Sequence, residues 1–212
     1  MNSPPLEVRV EGKMACFTRP ENKAERVSYS VMTPSAARGT LEAIFWKPEF
    51  SYRIREIVVL EPIRFCSIFR NEVNVKASPR SSGITIEENR AQRNTLALYD
   101  VAYIIRADVE VHEGADALPA KYRDQFRRRV ERGQCYHRPY LGCREFACDF
   151  RFPDTSDQPI ADSRDLGLTL FDIAFGKGKD APNIPLFFEA QLENGVLHVP
   201  DAMYNQLEVV RT

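Results

Sequence analysis

Cations crowd one stretch of this chain. Lys121, Arg123, Arg127, Arg128, Arg129 and Arg132 stand between positions 121 and 132, where the only acids are Asp124 and Glu131. Tyr122, Phe126 and Val130 recur at i, i+4 and i+8, the spacing of one apolar helix side. At about 100° per residue, Lys121, Arg128 and Arg132 line up beside that side as a basic stripe. Such a density on one element suits the phosphates of RNA or DNA. The plainer alternative is a solvated face with ordinary salt bridges, for which the local acids are too few.

For proton transfer near neutral pH the histidines come first. His112 falls on the polar side of a strand pattern and His198 in a hairpin, both read as surface positions. His137, between Tyr136 and Arg138 just after the basic helix, is better placed. Cys135, His137, Cys143 and Cys148 invite a zinc assignment, but only Cys143 and Cys148 approach a ligand-pair spacing. Buried free thiols are the expectation, with no metal. No Walker loop, Gly-x-Ser-x-Gly, His-Glu-x-x-His or dinucleotide fingerprint occurs, so no cofactor is expected.

These residues need elements to hold them. Leu6, Val8 and Val10 alternate with Glu7, Arg9 and Glu11, the two-residue period of a half-buried strand running from Leu6 to Thr18. Thr33-Pro34 reads as an N-cap and first helical residue; Ala37, Leu41, Ile44 and Phe45 form the stripe, and Pro48 ends the helix. Strands are expected over Tyr52–Leu60 and Ile63–Val75. Lys76–Asn94 reads as a mobile loop whose Lys76, Arg80, Arg90 and Arg93 could drape over a polyanion. Thr95–His112 is the clearest strand, and Ala117–Arg132 the second helix. A strand over Tyr140–Phe152, a polar loop, a strand over Leu166–Phe175 and a hairpin around Asn194-Gly195 follow. The expected class is α+β: a ferredoxin-like domain over 1–133 and an antiparallel β-rich subdomain over 134–212.

Composition sets the outer bounds. The 212 residues are 43% hydrophobic and 28% charged, enough for a folded core. With 29 Lys and Arg against 30 Asp and Glu, net charge −1 excludes binding polyanions by bulk charge but leaves room for a local patch. No run approaches the roughly 18 apolar residues of a membrane span. The N-terminus lacks signal-peptide character, and five cysteines without a tight framework suit a reducing compartment. A soluble cytoplasmic protein is expected, with no membrane partner.

Three motifs carry a resemblance. Ser28-Tyr29-Ser30-Val31 leading into Thr33-Pro34, then Ile44-Phe45-Trp46-Lys47-Pro48, then Pro139-Tyr140-Leu141-Gly142-Cys143-Arg144-Glu145-Phe146 resemble the CRISPR-associated Cas-five family, type I-C (Dvulg) subtype, in order along nearly the whole chain. The resemblance implies an RRM-like, ferredoxin-like RNA-binding domain with a small C-terminal β-sheet domain. It implies metal-independent cleavage of precursor CRISPR RNA within the repeat, then retention on the 5′ handle as a subunit of the type I-C surveillance complex. CRISPR repeat RNA and the other subunits are the implied partners; the basic helix also suits non-specific DNA binding. Lys47, Arg127, Arg128, Arg132 and Arg138 are the expected RNA contacts.

The family's site resembles a tyrosine ending the first helix and a Lys-His pair opening the second. Here those positions hold Phe45 and Lys121-Tyr122. Phenylalanine transfers no proton, and a phenol titrating ordinarily near about 10 is a poor base. Three readings follow: a nuclease in which Lys121 stabilises charge and Tyr122 or His137 moves the proton; a non-catalytic handle-binding scaffold; or an unrelated protein-interaction subunit.

Overall fold

The alternating Val101, Tyr103, Ile105, Ala107 and Val109 fix the middle of the molecule. They lie on a 22-residue strand whose two edges are both taken by other strands. The computed structural model describes residues 5–22, 24–76, 78–80, 83–115, 118–176 and 182–211, with side chains to 208. In chain order the elements are β1 (Leu6–Ala15), β2 (Arg26–Val27), α1 (Pro34–Ile44), β3 (Phe50–Val59), β4 (Phe65–Val73), α2 (Ile86–Asn89) and β5 (Arg90–Val111). There follow α3 (Pro119–Glu131), β6 (Asp149–Arg151), β7 (Arg164–Ala174), β8 (Ile184–Glu193), β9 (Val196–His198) and α4 (Asp201–Arg211).

One sheet runs in the order β6-β1-β5-β3-β9-β8-β7, every neighbouring pair antiparallel. Ile105 of β5 sits between Val8 of β1 and Ile57 of β3, and all three are fully buried. Leu41, Ile44 and Phe45 from α1 and Tyr122, Phe126 and Val130 from α3 close the same core. Thr33 caps α1 as its sequence predicts, its Oγ1 accepting from the Ala36 N–H at 3.3 Å. On the opposite face, Arg106 bonds Glu7 and Glu56 at 2.7 and 2.8 Å, a paired ionic surface without an aromatic platform.

The hairpin at Asn194-Gly195 is present, with φ of +48° and +78° at the two turn residues. A Cβ on Gly195 would meet the Ile160 carbonyl oxygen at 2.5 Å, so this turn also needs glycine for space. Its tip joins the two halves: the Val59 N–H donates to the Gly195 carbonyl at 2.8 Å.

Four expectations are corrected. Residues 90–94, read as loop, begin β5 and pair with β4, Val73 opposite Arg90 and Phe65 opposite Leu98; α2 precedes them. Positions 77, 81 and 82 of that expected loop, and Ala117 of the expected second helix, lie outside the described residues. The hairpin arm is largely solvated, so its Gln92, Arg93 and Asn94 carry no apolar alternation to betray a strand. Residues 140–147 form a turn closed by one bridge between Tyr140 and Ala147, leaving only β6 as strand. Gly142 causes this: its φ is +83°, and a Cβ would fall 2.1 Å from the Cys16 carbonyl oxygen. Finally, α4 follows β9 unannounced, Met203 and Leu207 buried and the Tyr204 hydroxyl donating to the Ile54 carbonyl at 3.0 Å.

α1 is tied to β7 by an ion pair that takes both carboxylate oxygens. Arg38 donates to Asp172 at 2.9 and 2.7 Å and to Glu42 at 2.8 Å, and Asp172 is only 4% exposed. Removing one partner would leave a buried charge without compensation. Arg38→Met is expected to lower stability by about 3–5 kcal/mol in urea unfolding at pH 7, with much of the loss recovered in Arg38→Met/Asp172→Leu. A loss under about 1 kcal/mol would show that the pair does not anchor α1.

Candidate nucleic-acid interface

Pro48 prevents α1 from running on, so the helix ends with carbonyls that have no intrahelical donor. The Phe45 N–H closes onto Leu41 at 2.9 Å, and the chain then turns out of the helix. The Ala43 carbonyl accepts from the Tyr136 and His137 amides at 2.9 and 3.2 Å. The Ile44 carbonyl accepts from Arg129 Nη1 at 3.3 Å, and the Phe45 carbonyl from the Tyr52 hydroxyl at 2.6 Å. One helix end therefore fixes the last turns of α3 and the segment that carries His137.

Along α3 the apolar side is as the spacing predicts: Tyr122, Phe126 and Val130 are buried. The Tyr122 ring packs on Phe50 at 4.8 Å, Phe50 on Phe45 at 5.6 Å, and the Arg129 guanidinium lies 5.3 Å over Phe45. Phe45 thus serves as a buried platform, and Tyr122 is a core side chain with 3% exposure. Lys121 stands beside it on the solvent side, in the first turn of α3.

Among the described residues, Lys121, Arg123, Arg127, Arg128, Arg129 and Arg132 make no salt bridge, whereas Arg9, Arg26, Arg38, Arg55, Arg106 and Arg151 on the sheet and α1 are all paired. Arg128 and Arg129 hydrogen-bond only carbonyls, at Asp124 and Ile44. In the last turn they also favour the negative end of the helix dipole. That interaction leaves their outward N–H groups available to phosphate oxygens.

His137 is exposed, held through its backbone. Its Nδ1 is 3.2 Å from the Arg138 carbonyl oxygen, which can only accept, so Nδ1 carries the proton and the neutral ring presents Nε2 as a base. The Tyr136 ring meets it edge-on at 5.9 Å, and Tyr140 stacks at 6.3 Å with 23° between planes. His137, Arg138, Tyr140 and Arg144 line a cleft of about 430 Å³. Arg138 also pairs with Asp149. Cations interleaved with exposed rings are the pattern that holds single-stranded nucleic acid, by phosphate contact and base stacking.

The structure thus gathers His137 and Arg138 with Arg129 and Phe45 at one end of α3. Lys121 is eight residues from Arg129, about 12 Å along the helix axis. Trp46, 53% exposed, and the partly exposed Lys47 continue the surface past α1. Arg129, Tyr136, Tyr140 and Arg144 were not singled out by sequence reasoning. The interleaving of Tyr136, His137, Arg138 and Tyr140 was the signal for two of them; nothing local marks Arg129 as the residue that reaches α1. His112 bonds the Pro48 carbonyl at 2.9 Å, just past Lys47, and His198 lies 3.3 Å from Glu56 on β3.

The cysteines do not converge on His137. Cys143 faces Cys16 and Arg26, while burial pushes the Cys148 thiol up to about 12. Among the described residues no three His, Cys, Asp or Glu side chains converge. No described helix is long and apolar enough to cross a membrane.

Comparison with known proteins gives the arrangement a context. The family model for CRISPR-associated protein (Cas_Cas5) matches residues 5–200. A protein of Thermus thermophilus named CRISPR pre-crRNA endoribonuclease Cas5d is 45% identical over 218 residues, covering 95% of this chain and 94% of its own length. One of the same name from Mannheimia succiniciproducens is 44% identical over 216 residues, covering 92% and 94%. Among solved structures, a CRISPR-associated protein superposes with a TM-score of 0.69 at 24% identity, covering 93% and 92% of the two chains. A chain of a CRISPR RNA-guided surveillance complex gives 0.51 at 12% identity over 98% and 99%. The match over nearly the whole length, with both relatives far above 30% identity, decides the family: this chain belongs to the Cas5d family of CRISPR-associated proteins.

Proposed function

We propose that this chain is a metal-independent endoribonuclease that cuts precursor CRISPR RNA within the repeat and stays on the 5′ handle as a subunit of the type I-C surveillance complex. The row of α3 cations that make no salt bridge among the described residues carries the reading, because it offers a phosphate-binding surface near a histidine whose Nδ1 faces a carbonyl oxygen. The two relatives named as pre-crRNA endoribonucleases support the same activity, and the likeness to a surveillance-complex chain supports the same fold. DNA backbones offer the same charges, so DNA competes for this surface.

The strand order β6-β1-β5-β3, with α1 and α3 packed together against it, supports a ferredoxin-like, RRM-like unit over 1–133 completed at its edge by β6. Strands β7, β8 and β9 with α4 make up the β-rich unit over 134–212.

The chemistry is transesterification. His137 takes the proton of the ribose 2′-OH, the oxygen attacks phosphorus, and the 5′-oxygen leaves with a proton from an acid. A cation stabilises the phosphorane. His137 is preferred to Tyr122 as the base because its ring reaches solvent and Tyr122 lies in the core. Lys121 supplies charge further along α3, with Arg127, Arg128, Arg132, Arg138 and Lys47 holding the strand. A second reading, the handle-binding scaffold without chemistry, draws on the same burial of Tyr122 and on Phe45.

Purified protein incubated with labelled repeat RNA in EDTA should cut at one position, and a 2′-deoxy residue there should abolish the cut. Tight binding without cleavage would establish the scaffold reading. His137→Ala should slow cleavage by about 10²–10⁴-fold while Tyr122→Phe leaves it nearly unchanged; the reverse pattern transfers the proton step to Tyr122. Lys121→Ala should slow cleavage by about 10²–10³-fold with binding kept, and equal loss of both would make it a phosphate clamp. Arg128→Glu/Arg132→Glu should weaken RNA binding and flatten its salt dependence by about one unit of slope per lost contact. An unchanged slope removes the stripe from the interface.

A further inference from the structure

Away from α3, the end of β1 and the 140–147 turn bring two thiols together. Cys16 is fully buried and Cys143 half-buried. Both reach Thr18 Oγ1, at 3.5 Å from Cys16 and 3.9 Å from Cys143, and the Cys143 thiol reaches the Cys16 carbonyl oxygen at 3.5 Å. Their backbones are locked: the Cys16 N–H donates to the Leu141 carbonyl at 3.0 Å, and Gly142 presses against the Cys16 carbonyl.

The surroundings divide one proton unequally. The neighbouring Cys16 thiol and Arg26, whose Nη1 lies 3.3 Å from Cys143 Sγ, lower the Cys143 pKa to about 6. The proximity of Cys143 and burial push Cys16 up. Glu145, 2.7 Å from Arg26, and Glu72, at 3.8 Å, temper the guanidinium without displacing it from the sulfur. Cys66 and Cys148 are both shifted upward, whereas Cys143 is shifted downward beside Arg26.

We propose that Cys16 and Cys143 form an oxidisable dithiol, which a peroxide converts to a disulfide joining β1 to the 140–147 turn. The Cys143 thiolate attacks one peroxide oxygen; the O–O bond breaks, hydroxide leaves and takes a proton as water, and Cys143 becomes a sulfenic acid. The Cys16 sulfur then attacks Cys143, the S–S bond forms, the S–O bond breaks, and the hydroxyl leaves with the Cys16 proton as a second water. Two thiols lose two electrons and two protons while one peroxide is reduced to two waters. An external thiol reverses the reaction. The bridge would fasten the turn that carries Tyr140 and Arg144.

Hydrogen peroxide added to the full-length protein should remove about 2 Da and yield, in unreduced digests, a peptide pair joined through Cys16 and Cys143. Iodoacetamide labelling of Cys143 in the untreated protein should rise with pH through about 6, because the thiolate forms above the pKa, and should lag the ordinary thiol range in no part of that rise. In Cys16→Ser, dimedone should trap Cys143 as the sulfenic acid, which has lost its resolving partner. The mapping on unaltered protein stands even if that variant does not fold. Two thiols that both stay alkylatable after peroxide, or a bridge using a different cysteine, would overturn the proposal.

Discussion

The carbonyls that α1 leaves open at its C-terminus hold the candidate surface together. A helix stopped by Pro48 must satisfy them from elsewhere, since buried acceptors without donors are costly. Here the donors are the amides of Tyr136 and His137, the Arg129 guanidinium and the Tyr52 hydroxyl. Each belongs to a different part of the chain, so α3, β3 and the segment after α3 are all registered against one helix end. His137 owes its position to this backbone contact. Its ring remains free for chemistry because its amide bears the structural role.

The electrostatics divide in the same way. Arg9, Arg38, Arg55 and Arg106 on the sheet and on α1 are paired with carboxylates, which ties β1, β3, β5 and β7 to their neighbours. The cations of α3 make no salt bridge among the described residues. A net charge of −1 is consistent with a local concentration of cations on one helix, because fields act through the distribution of charge as well as its total. Mutual repulsion along that helix is a standing cost to stability.

Much of the fold was legible. Thr33-Pro34 and Pro48 bounded α1, the alternation in β5 gave the central strand, and Asn194-Gly195 gave the hairpin, because each signal is local chemistry acting on its own backbone. The arm formed by β4 and the start of β5 was not, since strands exposed on much of their surface need no apolar alternation. The shortening of the strand expected at 140–152 depends on Gly142 meeting the Cys16 carbonyl, a contact between residues 126 positions apart. α4 escaped notice because its burial rests on few residues, among them Met203 and Leu207.

For the site, the sequence by itself determined the residue types: a basic helix with its apolar side inward, Phe45 at the end of the first helix, Tyr122 beside Lys121, and a histidine just beyond. Composition and helical period suffice for that, as both are properties of neighbours along the chain. Tertiary structure alone decided which of these work together. Burial put Tyr122 on Phe50, the capping of α1 drew His137 towards Arg129 instead of Lys121, and the docking of one turn on β1 set Cys143 against Cys16. Those outcomes rest on satisfying hydrogen bonds and filling space between distant segments, which no local pattern encodes.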